Sequence, residues 1–215
     1  MKRYKNIVFD IGNVLVRYDP VGFLDRSPFS DQKGELVRRV FDAEQWIELD
    51  RGTIEEETVF RHLSEKHPEL RAGIAYISDH WIHEVFSLIE GTSDILSALK
   101  ESGYCIYLLS NFGKRGFLKI SKEYSFFGKI DGKIVSYEVK TVKPEKQIYD
   151  LLLDRYRLNP KETIYIDDRP ENLEIAEMYG ILCHQFHSPE SLSEFLRGVG
   201  IYAYGGEKGS TGTED

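Results

Sequence analysis

The stretch Ile7-Val8-Phe9-Asp10-Ile11-Gly12-Asn13-Val14 decides the fold. A short apolar run that ends in a carboxylate reads as a strand buried on both faces, the kind found in parallel sheets. Residues 104–109, 163–166 and 181–186 read as further strands. Between them, residues 93–102 form a predicted helix closed by Gly103, and a later helix ends at Tyr179, closed by Gly180. A third helix is predicted to run to about Arg157, with Pro144 in its first turn. Residues 130–139, with Asp131-Gly132 inside, read as a turn joining a short strand pair. Strand and helix alternating in this way predict an α/β fold, a largely parallel sheet flanked by helices.

Residues 21–89 break the alternation, since helical periodicity replaces it and no strand is expected there. Thr53 with Glu56 three residues on reads as a capping box, ahead of an apolar face made by Val59, Phe60 and Leu63. Trp81, Val85 and Phe86 mark another helix. The organisation expected is a core from residues 1–17 and 90–202, a small helical insertion from 18–89, and a flexible tail from 203–215. That glycine-rich tail lacks the Gly-Lys-Ser/Thr order of a phosphate loop.

Composition narrows the function classes. The chain has 215 residues, 41% hydrophobic and 30% charged, which suits one globular domain with an insertion. A formal charge of −8 argues against a nucleic-acid surface, which needs excess Lys and Arg. A small anionic ligand remains compatible, because a bound divalent ion reverses the local field. The basic start at Lys2 and Arg3 precedes an apolar run stopped by Asp10, Asn13 and Arg17, too early for a secretory core. No stretch approaches the length of a membrane span. Cys105 and Cys183 each fall in a predicted strand without Cys-x-x-Cys spacing, so both are expected as reduced core residues of a cytoplasmic protein.

The chemistry lies at strand ends, where open α/β sheets collect their ligands. Asp10 ends one strand and Asp167-Asp168 ends another, with Lys143 between them in sequence. Adjacent carboxylates repel, which points to a metal or to strong hydrogen bonding. An Asp10 carboxylate attacking a phosphate would need a cation to reduce repulsion, and Asp167-Asp168 offer it oxygen ligands. Lys143 offers a point charge for a phosphate oxygen, and Ser110-Asn111 offer a hydroxyl and an amide. Asn172 is placed to orient the metal ligands or to cap a helix. His80 and His83 beside Asp79 have ligand spacing, but a helix face explains them, and His184 and His187 have no expected role. Trp46, Trp81 and Tyr76 are expected in the core of the insertion.

Asp10-x-Gly12-Asn13-Val14, Leu109-Ser110-Asn111, Lys143-Pro144 and Asp167-Asp168-x-x-x-Asn172, in that order, resemble the four motifs of the haloacid dehalogenase superfamily. The resemblance implies a Rossmann-like core, a cap in the place of the insertion, and an Mg²⁺-dependent aspartyl-phosphate mechanism. Carried over, Asp10 is the nucleophile and a metal ligand. Asp168, helped by Asp167, and the Gly12 carbonyl complete the metal set, while Ser110, Asn111 and Lys143 bind the phosphoryl group. Many phosphatases of the superfamily carry a general acid where this chain has Gly12. The variant resembles a subgroup that includes sugar-phosphate phosphatases. Asp50 or Glu48 would replace the missing acid, or the leaving group would be one, such as an anomeric hydroxyl, that needs little protonation.

The function expected is phosphomonoester hydrolysis of a small phosphorylated metabolite by a monomer or weak dimer, with no nucleic-acid or membrane partner. Metal-independent carbon–halogen hydrolysis, a phosphate-binding protein without turnover and a phosphoryl-accepting signalling module are the alternatives. The signalling module has its acidic pair before its phosphorylated aspartate, the reverse of the order here.

Overall fold

The computed structural model describes residues 3–202. Seven strands follow in chain order: β1 (Asn6–Phe9), β2 (Val16–Tyr18), β3 (Phe86–Leu88), β4 (Cys105–Ser110), β5 (Gly132–Val135), β6 (Thr163–Asp167) and β7 (Leu182–Gln185). Five of them form a parallel sheet in the order β5-β4-β1-β6-β7. Every residue of β1 and β6 is buried, as expected of strands covered on both faces.

Side chains alternate between two apolar layers, following the two-residue period of a strand. Phe9, Ile106 and Leu108 pack on one side with Leu96, Ile120 and Leu192, which lie on α6 (Glu90–Glu101), α7 (Lys114–Glu123) and α11 (Pro189–Gly198). Val8, Tyr107 and Tyr165 pack on the other with Tyr149 of α9 (Lys146–Tyr156) and Leu173 of α10 (Pro170–Met178). A short helix, α8 (Ser136–Val139), follows β5.

The insertion holds α1 (Pro20–Asp25), α2 (Lys33–Leu36), a π-helical turn (Val37–Phe41), α3 (Glu44–Arg51), α4 (Glu56–Lys66) and α5 (Arg71–Glu84). It has its own apolar cluster, in which Phe23, Leu36, Trp46, Leu63 and Ile74 are buried. Trp46 and Trp81 belong to that cluster, and Tyr76 packs against it.

Six local expectations are corrected. Strands do occur at the insertion's two ends, where β2 and β3 pair antiparallel, Tyr18 opposite Phe86. Phe86 therefore lies on a strand, and the helix before it stops at Glu84. Thr53 does not cap α4; its hydroxyl goes back to the Glu48 carboxylate, and the cap residue is Glu55. Residues 130–139 hold no strand pair, because β5 joins β4 in parallel and Asp131 instead accepts the Ile106 N–H and the Lys100 ammonium. Pro144 precedes α9, whose cap is Glu145; it follows Lys143 through a cis peptide bond. Cys105 is exposed and Cys183 only half-buried, both as free thiols, because Cys105 is the first residue of its strand and Cys183 lies on the edge strand β7. The tail expected to be flexible lies outside the described residues.

The insertion touches the core through the end of α3. Gly52 closes that helix in the left-handed region at φ 74°, and a Cβ there would lie 2.8 Å from the Tyr137 carbonyl oxygen. Gly52→Ala is expected to lower stability by about 1–2 kcal/mol, or roughly 2–8 °C in Tm for a chain of this size. An unchanged Tm in a thermal melt would show that this approach is not needed.

Candidate active site

The register of the sheet assembles the site. Phe9 is aligned with Leu108 on one side and Ile166 on the other, so the next residue of each strand emerges at the same edge. Asp10 is held there by its N–H to the Ile166 carbonyl, at 2.9 Å, and its carboxylate accepts the Ile11 N–H at 2.7 Å. The Lys143 ammonium bridges Asp10 at 2.9 Å and Asp167 at 2.6 Å, with all three side chains buried. Oxygens of Asp10, Asp167 and Asp168 lie within 4.8 Å of one another.

The two members of the acidic pair differ. Asp167 also accepts the Tyr165 hydroxyl, the Arg169 N–H at 2.9 Å and the Asn172 amide at 2.9 and 3.1 Å. Burial pushes the Asp167 carboxyl up, but Lys143 and these donors outweigh it and hold it below its ordinary value. Asp168 has a long contact of 3.4 Å from the Asn13 amide. Burial, and then Asp167, raise its pKa. Burial likewise raises Asp10 to about 7 against the pull of Lys143, with Asp167 adding repulsion. Lys143 is held charged: burial opposes its charge, and Asp10 and Asp167 restore it.

Three buried or half-buried carboxylates thus face one ammonium. That excess of negative charge, presented by oxygen atoms alone, fits a hard divalent cation such as Mg²⁺. Ser110 contributes a second mark, a buried hydroxyl beside Asp10 that pulls the carboxyl's pKa down. Asn111 does something different. Its side chain accepts the Lys143 N–H at 2.7 Å and donates to the Lys143 carbonyl at 3.0 Å, clamping that residue's backbone.

A cleft of about 1170 Å³ opens over the strand ends, lined by Asp10, Gly12, Lys143 and Asp168 and roofed by the insertion. Asp50, at the end of α3, lines it too. Burial raises the Asp50 carboxyl to about 7, opposed by the Gly113 N–H and assisted by Asp10. Glu48 is spoken for by Thr53 and Arg51, whose hydrogen bonds lower its pKa. Of the two acids considered, only Asp50 is shifted toward its protonated form.

Sequence reading missed Asn13, Tyr165 and Tyr18. Asn13 sits at φ 53° and ties the strand-end loop to Asp168 and the Tyr18 N–H; an Asn directly after a Gly is the signal for such a left-handed turn. His80 stacks on Tyr76 with its Nδ1 2.9 Å from the Tyr76 carbonyl oxygen, and His80 and His83 are exposed. Among the described residues, His80, His83 and Asp79 do not converge on a metal site. His184 stacks on Phe195 and does not line the cleft.

A sheet of this order, with this acidic cluster and lysine at its strand ends, defines a class, and comparison with known proteins gives the same answer. A family model for haloacid dehalogenase-like hydrolases matches residues 4–180, and the chain belongs to that family. It is 24% identical to the sesquiterpene phosphatase astK of Aspergillus oryzae over 190 residues, 88% of this chain and 92% of that one. It is 25% identical to flavin mononucleotide hydrolase 1 of Arabidopsis thaliana over 206 residues, 91% and 77% of the two chains. Its fold is similar to that of the HAD family enzyme BT-2542 of Bacteroides thetaiotaomicron, solved in complex with magnesium and inorganic phosphate. The TM-score is 0.70 at 22% identity, covering 90% of this chain and all of that one. Among the described residues, no helix is long and apolar enough to cross a membrane.

Proposed function

We propose that this hydrolase is a magnesium-dependent phosphomonoesterase that works through a phosphorylated Asp10. The observation that carries the reading is the Lys143 ammonium, buried between Asp10 and Asp167 at 2.9 and 2.6 Å. It is placed to meet a phosphate oxygen at the moment an Asp10 oxygen meets phosphorus. One relative is named a sesquiterpene phosphatase and the other a flavin mononucleotide hydrolase, which supports phosphate hydrolysis here.

Asp10, Asp168 and the Gly12 carbonyl would hold the cation, which, when bound, supplies the positive charge that lets a carboxylate approach an anionic ester. Asp167 acts through Lys143, since its oxygens are already taken by four donors. Ser110 offers its buried hydroxyl to a phosphoryl oxygen, and Asn111 keeps Lys143 in register. An Asp10 oxygen forms the new bond to phosphorus as the ester oxygen leaves, and Asp50 hands that oxygen its proton. Asp50 then takes a proton from the water that attacks the aspartyl-phosphate, releasing inorganic phosphate and restoring both carboxyls.

Gly12, in place of the usual acid, favours one other reading: carbon–halogen hydrolysis without a metal, by the same nucleophile. A panel of phosphate monoesters and 2-haloacids, assayed with Mg²⁺ and again in EDTA, separates the two. The expected result is phosphate release with Mg²⁺ that is lost on chelation. Halide release that persists in EDTA, with no phosphate release, would reject the phosphatase.

A further inference from the structure

Inside the roof of the cleft the aromatic rings form a closed circuit. Tyr18 contacts Phe41 at 6.1 Å between centroids, Phe41 contacts Trp46 at 4.9 Å, and Trp46 contacts Trp81 at 5.0 Å. Trp81 contacts Phe86 at 5.8 Å, and Phe86 returns to Tyr18 at 5.8 Å. All five line the cleft, and Phe112 extends the wall from Phe86 toward the strand ends at 5.3 Å.

The charged groups near this wall are largely engaged with one another. Glu56 accepts both the Trp81 indole N–H at 3.1 Å and Arg115 at 2.6 Å. Glu145 takes Arg51 and Thr141, and Lys140 takes the Gly52 carbonyl. Asp42, Glu55, Glu57 and Lys114 are exposed at the mouth. The mouth is also marked by apolar groups left in water. Of five exposed large hydrophobic residues among those described, Ile47 and Leu118 line this cleft, 52% and 42% exposed.

One polar atom in the circuit has no partner. The Tyr18 hydroxyl is buried and makes no hydrogen bond. Burial first, then Asp50 and Asp42, keep the phenol protonated. A buried hydroxyl left unpaired is unfavourable, so it marks where a ligand group completes the site.

We propose that the substrate is the phosphate monoester of a bulky apolar alcohol or phenol: its hydrocarbon body lies against the aromatic circuit, and the Tyr18 hydroxyl meets its one further polar group. This rests on the phosphatase reading and names its substrate class. A polyol leaving group suits the cleft poorly, because each hydroxyl desolvated against Trp46, Trp81 or Phe112 would lose water and find no partner. The sugar phosphate allowed by the first motif is therefore disfavoured by the roof.

The test compares kcat/KM for decyl phosphate and 1-naphthyl phosphate with that for glucose 6-phosphate and glycerol phosphate. Acetyl phosphate, with its small leaving group, serves as reporter of phosphoryl transfer itself. The apolar esters are expected to be preferred over the polyol esters by about 10²-fold. Ile47→Ser, at an exposed position that does not endanger folding, is expected to raise KM for decyl phosphate several-fold and to narrow that preference. Polyol phosphates turned over as well as the apolar esters, or an Ile47→Ser variant with an unaltered preference, overturn this inference and leave the phosphatase reading standing. No turnover of any of these compounds, the acyl phosphate included, overturns both.

Discussion

Asp10→Asn is expected to reduce phosphate ester hydrolysis by about 10⁴-fold or more, because the group that forms the bond to phosphorus is gone. The fold should persist. The amide oxygen that replaces the carboxylate can still accept the Ile11 N–H, and Lys143 keeps its 2.6 Å partner in Asp167. Stability without metal should not fall at pH 7. A carboxyl whose folded pKa lies above its unfolded value favours folding only while protonated, and that contribution is lost as pH rises from 3.8 toward about 7. At pH 7 the neutral amide therefore avoids a desolvation penalty that the native carboxylate bears. Turnover and a thermal melt on the same sample check both statements. A variant that melts like the parent yet still hydrolyses the ester would falsify the nucleophile assignment.

Asp50→Asn is expected to lower kcat by about 10²–10⁴-fold, the usual worth of a positioned acid–base group. Asp50 must carry its proton and Asp10 must have lost its own for the first step, so kcat/KM of the parent should follow a bell in pH, and the substitution should flatten its alkaline limb. The structure also supplies a rescue. A Cβ added at Gly12 meets nothing within 4 Å, and Gly12 and Asp50 line the same cleft. Gly12→Asp in the Asp50→Asn background should return at least tenfold of the lost rate by donating into the same cleft. Full activity in Asp50→Asn alone would move the proton donor elsewhere.

Much of the core was legible because parallel sheets write themselves into sequence as unbroken apolar runs. Val8-Phe9-Asp10 and Ile164-Tyr165-Ile166-Asp167 each show where a strand ends, and strand ends are where the chemistry collects. The pairing of β2 with β3 was not legible. Each has three residues, too few for its apolar–polar–apolar alternation to stand out, and its partner lies some seventy positions away. The capping box failed for a related reason. Thr53 and Glu56 have the right spacing, but Thr53 has a nearer acceptor in Glu48, and a hydroxyl satisfied there has no reason to cap the next helix. The sequence assigned Asn111 with Lys143 to the phosphoryl group, and only coordinates show its amide spent on the Lys143 backbone. Tyr18 was invisible as a ligand-facing group because its value lies in what its hydroxyl lacks.

The antiparallel stem of β2 and β3 brings the two connections to the insertion side by side, with Val16 opposite Leu88 and Tyr18 opposite Phe86. Departure and return thus share one gateway. Some seventy residues of roof could be traded for another roof, or shortened to a tight hairpin, without unpicking a rung of the parallel ladder. Tyr18 and Phe86 straddle that gateway while also facing the ligand. A graft made there would change what the enzyme accepts and would have to bring its own counterpart of Asp50, while the nucleophile and cation site stay at the strand ends below.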